Sequence, residues 1–245
     1  MLIGPPLPRE SLSHLQLMHL ADSALPIGAL AHSFGLESLT SAEILTNRNL
    51  ESFLRVYTEE VGLLEAVFCR EGHRLVGVAC ASAAASEEFP ADRWVNLNLQ
   101  LSARKPAREA RTGSATIGRT FLMAVGNLGD YPVLREALAA AKESGAGPHH
   151  SVAFGLAAAI LRLDESLAAL SFVHQSVASL VSACQRLLPL GQTEATRILW
   201  NLKPAMISCA QASAGCTIDD AWSSMPMLDW GAMEHPALTT RLFIS

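Results

Sequence analysis

The sequence contains little charge, few aromatic residues and no paired cysteines. Only 17% of its 245 residues are charged and 6% are aromatic, whereas 50% are apolar. This low charge, with a mean hydropathy of +0.26, excludes an intrinsically disordered chain. The five cysteines form no CxxC pair, and their odd number argues against a disulfide framework. We therefore expect a folded, cytoplasmic protein.

Motifs of the common enzyme classes are also missing. The sequence has no GxSxG, no GxxxxGK[ST] phosphate loop and neither HExxH nor HxH. A formal net charge of -5 argues against the broad basic surface of a nucleic-acid-binding protein. We therefore expect no catalytic residue, no cofactor and no nucleic-acid partner.

One segment is long enough to cross a membrane. Residues 166–185 contain no charged side chain, but they include five serines, two glutamines and His174, which suit a bilayer poorly. The N-terminal MLIGPPLPRE lacks the basic and apolar regions of a signal peptide. We predict a helix buried within the protein and no membrane partner.

Apolar residues recur instead at helical spacing. They do so over residues 50–68, and again after Asp164, a candidate helix cap. The second helix has two adjacent apolar stripes and a third face of small residues, so it is predicted to be the central helix without a solvent side. Residues 95–101 alternate as in a strand, but with no second such run they are predicted to be helical. Further helices are expected over 12–20, 30–39, 132–144, 149–161 and 192–213, the last broken at Pro204.

These patterns predict an all-α, single-domain helical bundle around a central buried helix. Residues 1–10 are expected to be a flexible N-terminus and residues 11–215 the helical domain. Residues 216–245 contain scattered tryptophans and prolines without regular spacing, so they are predicted to be an irregular tail that orders against a partner.

Two polar clusters are candidate sites. His149 and His150 could bind metal, but adjacent residues point about 100° apart on a helix and cannot chelate as an i, i+4 pair would. A structural role is favoured, and an all-α metal enzyme is the alternative. Stoichiometric metal that is lost in His150→Ala would support that alternative. A basic cluster at residues 104–111 is either a solvated face or a contact for an acidic partner or phosphate.

Small residues at 113–118 and 151–159 would allow close approach between helices. They indicate either tight packing within the chain or a helix-mediated homodimer. No residue set points to catalysis, so the sequence favours an interaction scaffold.

Separated segments, taken together, resemble the urease accessory protein UreF family. The matching segments are residues 20–37 (LASPALPVGAFSYSQGLE in the family), 107–119 (RETRELR…MGR), 149–155 (HHPVAFG), 188–193 (PLGQT) and 241–245 (SRLFxS). They occur in the family's order and span nearly the whole chain. The sequence departs from the family at Glu234-His235-Pro236, where Arg-His-Glu is common, at Ser151 and at Asp22-Ser23.

The resemblance implies an all-α, dimer-forming scaffold that is not an enzyme. Such proteins join UreD (also called UreH) and the GTPase UreG to insert nickel and carbonated lysine into apo-urease, and they are thought to gate GTP hydrolysis and to provide, with UreD, a nickel passage. It also implies partner-binding residues on a UreG-facing or inter-subunit surface, along the basic helix and in a UreD-binding tail. These are His32, Ser33, Gly35, Glu37, Arg108, Arg111, His235, Arg241, Leu242 and Phe243.

Overall fold

The chain folds into α-helices joined by short connections. The computed structural model describes residues 9–76 and 89–245, and no strand occurs within these ranges, which confirms the all-α prediction. The flexible N-terminus predicted over 1–10 lies largely outside the described residues. The helices are α1 (Arg9–Leu20), α2 (Leu36–Ser41), α3 (Leu50–Tyr57), α4 (Leu63–Arg74), α5 (Ala91–Ala103), α6 (Arg108–Gly126), α7 (Pro132–Ser144), α8 (His150–Ile160), α9 (Glu165–Leu187), α10 (Gln192–Asn201), α11 (Lys203–Ala212) and α12 (Pro226–Glu234).

Helix α8 is apolar on all sides and occupies the centre of the bundle. Its residues from Ser151 to Ala159 are buried, and α4, α6 and α9 pack around it. Glycines bring the backbones of α4 and α8 together, because a Cβ on Gly155 would lie 1.8 Å from the carbonyl oxygen of Cys69. These small residues therefore serve close packing within the chain.

Helix α9 begins at the predicted cap. The Asp164 carboxylate accepts a hydrogen bond from the Leu167 amide at 2.8 Å, which satisfies one of the free amides at the helix start. The prediction that α9 has no solvent side is wrong, since Leu167, His174 and Arg186 are exposed. Helix α8 has no polar edge of this kind and is the more completely buried of the two.

The length and composition of α9 would still allow it to span a membrane. In the 18-residue stretch of α9 that is apolar enough to cross a bilayer, 56% of the residues are buried inside the protein. The helix packs against α2, α4, α8, α10 and α11. This packing is that of a core helix, as the sequence predicts.

Proline and glycine fix the ends of other helices. Pro204 lies where the predicted 192–213 helix divides into α10 and α11. The alternating residues 95–101 lie within α5, with Trp94, Leu97 and Leu101 buried. The single helix predicted over 30–39 is wrong, because Phe34 (φ 51°) and Gly35 (φ 96°) are left-handed and separate a 3₁₀ turn from α2.

A buried arginine ties three helices together. Arg70 of α4 donates to the Glu165 carboxylate at 2.8 Å, to the Ser213 hydroxyl at 2.9 Å and to the Ala210 carbonyl at 2.9 Å. Its guanidinium is almost inaccessible to water, so the stability of the charge depends on these acceptors. They fix the ends of α9 and α11 on α4.

Candidate protein-binding site

The C-terminal residues pack back onto the bundle rather than extending from it. Helix α12 crosses α2 and contacts α6, and Met225, Leu228 and Phe243 join the same apolar cluster as residues of α2, α3 and α9–α11. Helix α12 and the short 3₁₀ turn after it are the regular elements of this otherwise irregular tail, and the sequence pattern did not predict them. Residues on both sides of position 215 share one core.

The crossing of α2 and α12 depends on two glycines. Gly35 adopts φ 96°, and a Cβ there would lie 2.7 Å from the Ala232 amide nitrogen. A Cβ on Gly231 would lie 2.6 Å from the Gly35 carbonyl oxygen. Gly35 thus holds a left-handed turn and a backbone contact at once, and a larger side chain would disrupt both.

A cluster of three ionisable side chains, of which His235 and Glu37 are buried and Glu109 is partly exposed, fastens the tail. The His235 imidazole lies between two carboxylates, with Nδ1 2.7 Å from Glu109 Oε2 and Nε2 2.9 Å from Glu37 Oε2. The Glu37 carboxylate also accepts hydrogen bonds from the Leu242 amide at 2.6 Å and the Phe243 amide at 3.1 Å. We call Glu37, Glu109 and His235 the carboxylate–histidine cluster. It joins α2, α6 and the tail.

The last residues are also bound to the turn that precedes α2. The main-chain oxygen of Ser245 accepts hydrogen bonds from the Ser33 and Phe34 amides. The Ser245 hydroxyl lies 2.6 Å from Nδ1 of His32, beside Gly113 of α6, where a Cβ would come within 3.1 Å of both groups. Burial lowers the pKa of His32, although the nearby Glu109 carboxylate opposes this change.

Side chains at the end of the tail alternate between the core and solvent. Phe243 is buried, with the Arg186 guanidinium 4.0 Å from its ring centroid, an arrangement that favours a cation. Its neighbours Leu242 and Ile244 are 59% and 68% exposed. The Ile244 amide donates to the Ala31 carbonyl at 2.8 Å. The buried side chains of Phe243 and Ser245 thus anchor the segment, while those of Leu242 and Ile244 face solvent.

Several large apolar side chains of residues 222–245 are exposed to solvent, and we call this set the tail surface. They are Trp222, Met227, Trp230, Met233, Leu242 and Ile244. Arg241 is also exposed, with its guanidinium 3.9 Å from the Glu109 carboxylate. Large apolar side chains concentrated on one segment are typical of a protein-binding surface.

The first predicted segment lies beneath the tail rather than on the surface. His32, Ser33, Gly35 and Glu37 are all buried within the chain, which corrects the expectation that they are exposed. Phe243 is likewise directed inward, whereas Arg241 and Leu242 are exposed. The structure therefore brings the residues predicted at positions 32–37 together with those predicted at 235–243.

The basic cluster does not form one arginine face. Helix α6 begins only after Pro106, so Arg104 lies on a different element and donates to the Ala221 and Ile218 carbonyls near the start of the tail. Arg111 donates to main-chain carbonyls of the α5–α6 connection. Arg108 is exposed and lies one residue from Glu109.

The two adjacent histidines are packing residues. Nδ1 of His149 lies 3.0 Å from the Ser114 hydroxyl, and its Nε2 lies 2.7 Å from the Ser102 hydroxyl. His150 packs against the rings of Phe121, Phe154 and Phe172. Burial, assisted for His149 by the charge of Lys105, lowers the pKa of each histidine to about 4.

Metal-ligating side chains are likewise scattered. Within residues 9–76 and 89–245, no group of three His, Cys, Asp or Glu side chains is placed to hold a metal ion. The ring nitrogens of His149 are already engaged by serines. The geometry thus offers no support for the alternative of a metal enzyme.

A cavity whose walls are mainly apolar, with a few polar side chains, lies between the central helices and the tail. Its walls include Glu65, His150 and Gln175. Among the described residues, Nε2 of His150 and Oε1 of Gln175 have no hydrogen-bond partner although both atoms are buried. Burial alone would raise the pKa of Glu65, but its ion pair with Lys105 lowers it. The carboxylate is therefore charged at neutral pH.

Sequence reasoning missed several residues of this site. Glu109 lies in the matching 107–119 segment, but its spacing from other polar residues follows no known motif. Glu65 and Arg186 belong to ordinary helical patterns. Glu37 and His235 are separated by 198 positions. Glu37 and Glu109 lie in the first turns of α2 and α6, but α3, α4 and α9 begin with an acidic residue as well, so this position gave no distinguishing signal.

Comparison with known proteins agrees with the resemblance. The model of the UreF family matches residues 44–203. The chain is 29% identical to the urease accessory protein UreF of Bacillus sp. (strain TB-90), covering 94% of this chain and 98% of that one. It is 31% identical to the UreF proteins of Corynebacterium glutamicum (strain R) and Nostoc sp. (strain PCC 7120 / SAG 25.82 / UTEX 2576), covering 94% of this chain and 96% and 95% of theirs.

These relatives extend the match to segments outside residues 44–203, which include the tail. They carry the name of an accessory protein and not that of an enzyme. The chain accordingly belongs to the UreF family of urease accessory proteins.

Proposed function

We propose that this chain is a cytoplasmic adaptor for loading nickel into apo-urease. It binds UreD/UreH through the tail surface, recruits the GTPase UreG and holds both in a GTP-dependent complex. The observation that carries this proposal is the tail surface itself. Its exposed apolar side chains belong to a segment whose backbone and His235 are held on the bundle by hydrogen bonds to Glu37.

Because these hydrogen bonds hold the tail in place, binding a partner costs it less free energy. Tryptophan and methionine are enriched in protein interfaces, and buried aromatic anchors supply much of the binding energy. A segment that is already ordered loses less conformational entropy when it binds. Arg241, which is exposed next to Leu242 in the sequence, provides a charged group for a specific hydrogen bond.

Point substitutions test the tail surface better than truncation does. A chain ending before Trp230 also loses His235 and the buried Phe243, so its fold changes together with its surface. We expect Leu242→Ser combined with Ile244→Ser to weaken UreD binding by at least tenfold in a titration with purified partner. Trp200→Ser is the matched control, because Trp200 is 67% exposed but lies on α10.

Unchanged UreD affinity in the double variant would refute the assignment of the tail surface. The control variant should bind as the wild type does. Equal urea midpoints for all three proteins would show that the difference arises from the surface and not from the fold.

For UreG we propose an indirect role of the buried turn. His32, Ser33, Gly35 and Glu37 hold the tail and the start of α2 in place, so alanine variants are expected to lower UreG recruitment and urease activation together. If these variants bind UreG and support activation as the wild type does, the proposal is wrong.

We further propose that nickel passes as cargo through the cavity beside His150 and Gln175. Imidazole nitrogen and carboxylate or amide oxygen are suitable transient ligands for a divalent cation, and His150 and Gln175 supply two such atoms without a protein partner. Gln175→Leu should reduce nickel delivered to apo-urease without reducing complex formation. Unchanged delivery would exclude this route.

The proposed adaptor is a homodimer whose contact modulates GTP hydrolysis by UreG. Light scattering of the isolated chain tests its oligomeric state, and the GTPase rate of UreG with and without the chain tests the modulation. A monomer at every concentration, or an unchanged rate, would refute the corresponding part.

A further inference from the structure

The cavity beside His150 and Gln175 contains two polar atoms that lack a partner. Among the described residues, Nε2 of His150 and Oε1 of Gln175 are buried without a hydrogen bond, and both side chains line the cavity. The His150 ring packs edge-on against Phe121 and Phe172, which limits its rotation toward another partner. Buried polar atoms without partners cost free energy. A ligand that accepts an electron pair from each atom would recover it.

A carboxylate on the same cavity wall is occupied by a lysine. Glu65 of α4 and Lys105, in the connection between α5 and α6, both line the cavity and form an ion pair. Their side chains are only 10% and 13% exposed. Imidazole nitrogen, amide oxygen and carboxylate oxygen together make a suitable ligand set for a divalent transition-metal ion. The Lys105 ammonium takes the position that such an ion would need beside the carboxylate.

We propose that Lys105 occupies a latent divalent-cation site formed by Glu65, His150 and Gln175. The ammonium group must leave Glu65 before a cation binds, so Lys105 closes the site as a built-in competitor. The importance of this site for nickel delivery rests on the proposed passage of nickel through the cavity. The site itself is a property of the isolated chain.

Electrostatics makes the two cations exclude each other. Glu65 remains a carboxylate because the ion pair with Lys105 lowers its pKa against the effect of burial. The charge of Glu65 also reaches His150, whose pKa it raises against the larger effect of burial, so the two groups are close. Repulsion between positive charges is weakly screened inside a protein. A divalent cation and the Lys105 ammonium therefore compete for one carboxylate.

The other groups around the cavity do not replace Lys105. The Arg104 guanidinium also lines the cavity, but it donates to main-chain carbonyls. Glu65, Lys105, His150 and Gln175 all precede position 216. The proposed site therefore does not depend on where residues 216–245 lie.

Nickel binding by the purified full chain tests the proposal. Lys105→Met keeps the apolar stem and removes the charge, so it should bind Ni²⁺ about tenfold more tightly than the wild type in a calorimetric titration. Lys105→Arg keeps the charge and should bind as the wild type does. Adding Glu65→Gln or Gln175→Leu to Lys105→Met should abolish the gain. Equal affinity of Lys105→Met and the wild type would overturn the proposal.

A measurement on the wild type accompanies the titration, because Lys105→Met leaves a buried carboxylate without its partner and lowers stability. Acetylation followed by mass spectrometry reports how accessible each lysine amine is. In excess Ni²⁺, Lys105 should be released from Glu65 and acetylated about threefold faster. Lys142, exposed on α7, is the control and should keep its rate. An unchanged rate at Lys105 would overturn the proposal, even if Lys105→Met does not fold.

Nickel delivery to apo-urease is measured separately, so the two proposals can fail independently. Tighter binding by Lys105→Met, together with delivery that Gln175→Leu leaves unchanged, would support the latent site and refute the passage. No gain in Lys105→Met would refute the latent site, even if delivery depends on Gln175.

Discussion

The crossing of α4 and α8 makes a sharp prediction for a single methyl group. In Gly155→Ala the new Cβ would lie 1.8 Å from the Cys69 carbonyl oxygen, whereas ordinary contacts begin at 3.4 Å. The two helices must therefore separate by about 1.6 Å at their closest point, starting from these contact distances. The backbone of α4, unlike a flexible side chain, cannot rotate away.

The cost follows from this displacement. Overpacking of a dense core costs about 3 kcal/mol at the upper end of its range, and alanine regains about 1 kcal/mol over glycine within a helix. We expect a net loss of about 2 kcal/mol in the free energy of unfolding. With a urea m-value of about 2 kcal/mol/M, the midpoint should fall by about 1 M.

Urea denaturation followed by circular dichroism measures this shift. Gly126→Ala is the matched control, because Gly126 ends α6 and a Cβ there meets nothing within 4 Å. Its midpoint should be unchanged or slightly higher. If Gly155→Ala were as stable as the wild type, the close approach of the two helices would not exist as described.

Three further predictions concern stability. Asp164→Ala removes the cap of α9 and should cost about 1 kcal/mol, measured by its urea midpoint; an unchanged midpoint would show that the hydrogen bond to Leu167 contributes nothing. Arg70→Met leaves buried acceptors without a donor and should cost about 3 kcal/mol, and a loss below about 1 kcal/mol would contradict the burial of this charge. His149 and His150 have pKa values near 4 in the folded chain and near 6.5 in the unfolded chain, so the unfolded state binds more protons between these pH values. The free energy of unfolding therefore falls as the pH drops from about 6.5 to about 4, by about 3 kcal/mol for each histidine. His150→Phe should make the urea midpoint less sensitive to acid than that of the wild type, and an equal sensitivity would refute the buried, neutral state.

Local patterns predicted most of the helices. Asp164 and Pro204 act within one or two turns of themselves, so their effects on α9 and on the α10–α11 break are visible in the sequence. The helical character of 95–101 also followed, because an isolated strand has no partner for its backbone. These features depend on neighbours in the chain.

Contacts between residues that are far apart in the chain could not be predicted from such local patterns. Helix α12 is short and begins at a proline, and its formation depends on Gly35, nearly two hundred positions earlier. His235 gains its surroundings only when α2 and α6 meet. Glu37 lies in a segment that resembles the family pattern and His235 lies at a departure from that pattern, and neither position showed that the two residues are partners.

Helix α9 has a consequence for the life of the chain before it is folded. Its apolar window is hidden by helices that follow it, α10 and α11, as well as by those that precede it. During synthesis the segment emerges before its later neighbours exist, and on heating it is uncovered again. Partly folded chains will therefore aggregate or bind chaperones through this segment, and thermal unfolding will be irreversible unless the protein is dilute.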